Sequence, residues 1–71
     1  MGIHVQRKRF DTLRMAELAK DGFHDPTFHI PNVNVTAQVV KDSDGYWVVV
    51  NQEGEWVTGD EPLLPDYERV A

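Results

Sequence analysis

Three histidines (His4, His24 and His29), with Asp25 beside the second, are the residues of this sequence closest to a metal-binding set. Zinc takes three or four nitrogen, sulfur or carboxylate ligands in a fixed geometry. His24-x4-His29, in a loop interrupted by Pro26, does not supply them, so these read as surface or loop histidines. Asp42-x-Asp44-Gly45 matches the opening of a calcium loop. Such a loop needs further oxygen ligands and a closing glutamate, whereas Tyr46-Trp47-Val48 follows here and reads as strand. A hairpin turn accounts for the same residues.

The acid pairs Glu53/Glu55 and Asp60/Glu61 would serve acid–base chemistry only in a cleft that pushes their pKa values apart. Acids at hairpin tips in so short a chain are solvated instead. Ser43 is the sole serine and falls in a turn, so no nucleophile with a neighbouring base takes shape. The sequence therefore names no catalytic residue, no metal ligand and no cofactor. It reads as a non-enzyme.

What remains is binding chemistry. Arg7-Lys8-Arg9, with Arg14 further on, forms a basic cluster able to contact phosphate. Residues 1–20 carry five bases against Asp11 and Glu17, a net of +3. Residues 21–71 carry only Lys41 and Arg69 against ten acids, a net of −8, and from Asp42 to Glu68 there are eight acids and no base. A surface so divided attracts a different class of partner at each end. The overall charge of −5 ranks direct nucleic-acid binding below protein binding, because phosphate attraction supplies most non-specific affinity.

Seventy-one residues suffice for one domain, 1–71, with one core. A chain near this length buries only about 60% of its unfolded surface and is marginal without help. No cysteine is present, so disulfides and thiolate metal sites are excluded and oligomerisation or partner binding becomes the remaining staple. The longest apolar run, Tyr46 to Val50, is far too short to span a bilayer, and no membrane partner is expected. The default compartment is cytoplasmic.

The elements that must position these residues follow from pattern. Residues 1–9 read as an extended basic arm, with residues 3–6 able to form a fourth, edge strand. Asp11 suits a helix N-cap, Phe10 and Met15 suit a hydrophobic staple around it, and Gly22 suits a left-handed stop, so a helix is expected over about 12–21. Met15, Leu18, Ala19 and Gly22 share the face expected to be buried. Phe23 and Phe28 are expected to pin the proline-bearing loop to the core. Val33 to Lys41 alternates as a strand with one buried side. Asp42-Ser43-Asp44-Gly45 supplies a four-residue hairpin loop, Tyr46 to Asn51 the next strand, Asn51-Gln52-Glu53-Gly54 a second turn, and Glu55 to Thr58 a third strand. An acidic segment, 59–71, ends the chain, with Pro62 and Pro65 each able to start a helical turn and Leu63, Leu64, Tyr67 and Val70 offering apolar contacts.

Register sharpens this reading. A four-residue first loop pairs Lys41 with Tyr46 and Val39 with Val48. Val35, Ala37, Val39, Val48, Val50 and Val57 then line one face, against which the helix packs. Val40, Trp47, Val49 and Trp56 line the other. A second face with two tryptophans is expected to be either covered by the chain's own ends or used as an interface.

Asp44-Gly45-Tyr46-Trp47-Val48-Val49, followed by Gly54-Glu55-Trp56-Val57-Thr58-Gly59-Asp60, resembles the front of HicB-type antitoxins over about a third of the chain. Here a helix precedes the sheet, the family's following helix is missing or much shortened, and its Pro-Asp-Leu-Pro-Gly stretch is replaced by Asn51-Gln52-Glu53-Gly54. The resemblance implies an antitoxin-like, inhibitory role. The fold expected is α+β, one helix on a three-stranded antiparallel meander. The function expected is a small protein-binding module, an inhibitor, antitoxin-like or accessory protein, engaging a larger basic partner such as a nucleic-acid-binding protein. Trp47, Val49, Trp56, Glu53, Glu55, Asp60 and Glu61 would make that contact. The alternatives are a dimeric nucleic-acid-binding or regulatory subunit reaching phosphate with Arg7, Lys8, Arg9 and Arg14, and a structural component of a larger assembly.

Overall fold

The computed structural model describes residues 2–27, 33–54, 64 and 66–70. The chain runs β1 (Gly2–Phe10), α1 (Leu13–Phe23), β2 (Val33–Asp42), β3 (Gly45–Gly54) and β4 (Glu68–Arg69). The strands form one antiparallel sheet in the order β2-β3-β1-β4, with α1 packed on one side. The α+β architecture with one helix on a sheet of three long strands is therefore present. The strands that compose it differ from the sequence expectation.

The β2–β3 hairpin has the expected register. Lys41 faces Tyr46 and Val39 faces Val48, closing through Asp42 opposite Gly45. Gly45 has φ +128°, a conformation costly to side chains with a Cβ, and the Asp42 carboxylate accepts from Asp44 N at 2.7 Å across the turn. Local chemistry builds this unit.

The N-terminal segment is neither a free arm nor an edge strand. It is β1, nine residues long, inserted between β3 and β4. Its pairing with β3 extends from Gly2↔Gly54 to Phe10↔Tyr46. That pairing also removes the second turn expected at Asn51–Gly54. Gln52 lies between Val35 on one side and His4 on the other, and Glu53 between Asn34 and Ile3. Backbone ladders on both sides hold these residues extended despite their turn propensity. The edge of β3 that Glu55–Thr58 was expected to fill is taken by β1, and residues 55–58 themselves lie outside the described residues.

Helix α1 starts one residue later than expected. Thr12, extended at φ −129° and ψ 152°, is the N-cap, and its Oγ1 accepts from Met15 N at 3.2 Å. Asp11 instead points its carboxylate at Arg9, 3.4 Å away. Gly22 lies inside the helix, which runs on to Phe23. The buried face is also rotated from the one expected. Ala16 is fully buried, with Ala19 and Phe23 packed beside it, while Met15 and Leu18 (63% exposed) face outward. The small Ala16 and Ala19 side chains allow a close approach to the sheet.

The core consists of Ala16, Ala37, Val48 and Val50, with Phe10, Val35, Val39, Tyr46, Leu64 and Tyr67 packed around it. Full burial of each valine contributes about 1.5–3 kcal/mol. Phe23 meets Tyr67 edge-to-face with ring centroids 5.7 Å apart, which ties the helix end to the C-terminal segment. Phe28, Val57, Leu63, Pro62 and Pro65 lie outside the described residues.

Candidate functional site

Antiparallel register divides the sheet residues between two faces. His4, Gln6, Ala37, Val48, Val50 and Gln52 point toward the helix, and all are buried. The opposite face carries Ile3, Val5, Arg7 and Arg9 on β1, Trp47, Val49, Asn51 and Glu53 on β3, and the even-numbered residues of β2. None of these is buried. Leu64 and Tyr67, from the segment considered as a cover for this face, pack into the helix-side core instead.

Among the described residues no element packs over this face, which is called open in that sense, and Trp47 anchors it. The Arg7 guanidinium lies 4.1 Å from the centre of its ring, and Arg7 Nε donates to Glu68 Oε1 at 2.5 Å. Both partners remain partly exposed, so stack and ion pair together are worth on the order of 1 kcal/mol. Arg9 donates to Asp44 O at 2.5 Å. Trp47 Nε1 is buried with no hydrogen-bond partner among the described residues.

Two depressions flank this centre. One of about 190 Å³ is lined by Arg7, Lys8, Arg9, Trp47, Asp66 and Glu68. The other, about 300 Å³, is lined by Ile3, Asn34, Thr36, Asn51 and Glu53. The first pairs cations with acids over an indole; the second is polar with one carboxylate at its rim.

The face joins residues that the sequence placed in separate sites. Trp47, Val49 and Glu53 of the expected protein contact stand with Arg7 and Arg9 of the expected phosphate contact. Lys8 has the opposite parity, with its ammonium 5.1 Å from the Phe10 ring centre, and Arg14 is exposed on the helix. Trp56, Glu55, Asp60 and Glu61 lie outside the described residues, as does His29.

Sequence reasoning missed the polar pair under the helix. Gln6 (1% exposed) donates from Nε2 to Gln52 Oε1 at 3.2 Å and accepts Leu64 N on its own Oε1 at 2.9 Å. Gln52 Nε2 is buried without a hydrogen-bond partner among the described residues. His24 Nε2 accepts from Ala37 N at 3.2 Å on the outer edge of β2. Among the described residues no group of three or more His, Asp or Glu could hold a metal ion, and no helix is long and apolar enough to cross a membrane. No family model, no curated protein and no solved structure matches this chain.

Proposed function

We propose that the protein is a small non-enzymatic protein-binding module whose contact surface is the open sheet face around Arg7 and Trp47. The observation that carries this reading is the face itself. A tryptophan stacked with an arginine sits among Val5, Val40 and Val49, while helix, Leu64 and Tyr67 all pack on the other side. Tryptophan and arginine are the residue types that most often supply binding energy at protein interfaces, and mixed apolar-polar faces of this kind mark contact sites.

Charge favours a basic partner. Arg7 is matched by Glu68 and Arg9 by Asp11, whereas Glu53 and Asp66 at the rim have no ion pair with a base among the described residues and the chain carries −5 overall. Those acids would steer encounter, and the aromatic centre would supply affinity. The internal pairing of Arg7 works against a phosphate-reading surface, since Arg7 would have to leave Glu68.

The experiment is co-purification from a cell extract with the wild-type chain and with Trp47→Ala, using Leu18→Gln on the helix as a surface control. The reading expects partners recovered by wild type and Leu18→Gln to be lost with Trp47→Ala, whose fold is checked by circular dichroism. Equal recovery with all three removes the face as the contact surface. A gel shift with DNA and RNA at low salt, expected to show no retardation, addresses the nucleic-acid alternative.

A further inference from the structure

We infer that the open face is built to meet a second copy of this chain, in a twofold sandwich that seats each Trp47 in the hollow beside the other copy's Glu53. This rests on the reading of that face as a protein contact and replaces the basic partner with a second copy, whose charges match end to end rather than overall.

The face is asymmetric along the strands. At one end Arg9 and Val40 both flank Trp47; at the other Ile3 and Asn34 both flank Glu53. The first end carries Trp47 beneath Arg7 with Arg9 beside it, and the second holds the depression of about 300 Å³ beside Glu53. A twofold axis in the interface plane, perpendicular to the strands, reverses strand direction and lays the Trp47 end of each copy over the Glu53 end of the other. Each Arg9 then approaches a Glu53 of the other copy, and this happens twice by symmetry. An axis parallel to β3 would instead set Glu53 against Glu53 and Trp47 against Trp47. Like charges directly opposed are unfavourable, so charge selects the perpendicular axis.

A chain of 71 residues without cysteine gains the staple it otherwise lacks.

Sedimentation velocity over a range of protein concentrations tests the inference. The wild type is expected to dimerise. Arg9→Glu and Glu53→Arg, both at exposed positions, should each weaken the dimer about tenfold or more, and the two combined in one chain should restore it. A second measurement does not depend on charge. Because the chain has no cysteine, Thr36→Cys mixed with Gln38→Cys should be joined by a short bis-maleimide, while Glu17→Cys on the helix should not. A chain that stays monomeric at every concentration overturns the inference, as does a dimer indifferent to both charge reversals. A monomer that still captures another protein through Trp47 overturns only the second-copy partner and leaves the protein-binding reading standing.

Discussion

The Arg7 guanidinium lies 4.1 Å from the centre of the Trp47 ring, although its direct cross-strand neighbour is Val49. The contact is diagonal, and the same guanidinium is held from the other side by Glu68 on β4. One side chain thus couples the aromatic centre of the open face to the shortest strand of the sheet. Arg7→Ala is expected to destabilise the chain by about 1 kcal/mol, from loss of a cation–π contact and a partly exposed ion pair. Urea unfolding measures this, and Trp47 emission followed in a Trp56→Phe background should shift on the same substitution.

The rotated helix face makes two substitutions diverge against intuition. Ala16→Met adds volume where the helix meets Val48 and Val50, and overpacking should cost about 1–3 kcal/mol. Leu18→Gln removes a larger apolar side chain, yet it should change stability by no more than about 0.5 kcal/mol because Leu18 is outward-facing. The opposite ranking in thermal melts would restore the face expected from sequence.

Gln6 and Gln52 should behave as a unit. Replacing Gln52 with leucine removes the acceptor that the buried Gln6 amide has on Gln52, a loss expected to cost about 1–3 kcal/mol. The double replacement should cost less than the two single ones added together, with a coupling of about 1 kcal/mol. Additive costs in a denaturation cycle would show that the 3.2 Å contact contributes nothing.

Two groups set expectations for pH. Hydrogen bonds from Thr27 N and Oγ1 hold the Asp25 carboxyl below its ordinary value of 3.8. Its small contribution is therefore present above pH 3.8 and lost as pH falls through the lowered folded value. Thr27→Ala removes the Oγ1 bond but keeps the larger backbone one, so the carboxyl resonance of Asp25 should move only part of the way back to an ordinary titration. Partial burial pushes the Tyr67 hydroxyl above 10.0. Its contribution is present below pH 10.0 and lost as pH rises through the folded value, so Tyr67→Phe should flatten the alkaline limb of a stability profile.

The β2–β3 hairpin was legible because its determinants are neighbours in the chain. Alternating valines define the faces, Asp42 to Gly45 turns the backbone, and the pairing of Val39 with Val48 follows by counting. The existence of a second, Trp47-bearing face followed from the same count. The helix was legible in extent but not in rotation, since Met15 and Leu18 offer more apolar surface than Ala16 and only the distance of closest approach to the sheet favours alanine.

From sequence alone came the α+β class, the hairpin and its register, the lack of cysteine chemistry and the polarity of charge. Tertiary structure alone decided that residues 2–10 enter the sheet beside β3. Their alternation points the wrong way for a core strand, with Ile3 and Val5 on the open face and His4 and Gln6 beneath the helix. Two amides buried against each other satisfy much of their own polarity, which makes polar residues acceptable where apolar ones would be expected. Backbone ladders between segments more than 40 residues apart, such as Gln6 opposite Val50, depend little on side-chain type and leave no local pattern. That insertion extends β3 through Asn51–Gly54 and sets Arg7 over Trp47, so the architecture of the candidate site was decided by pairings remote in sequence.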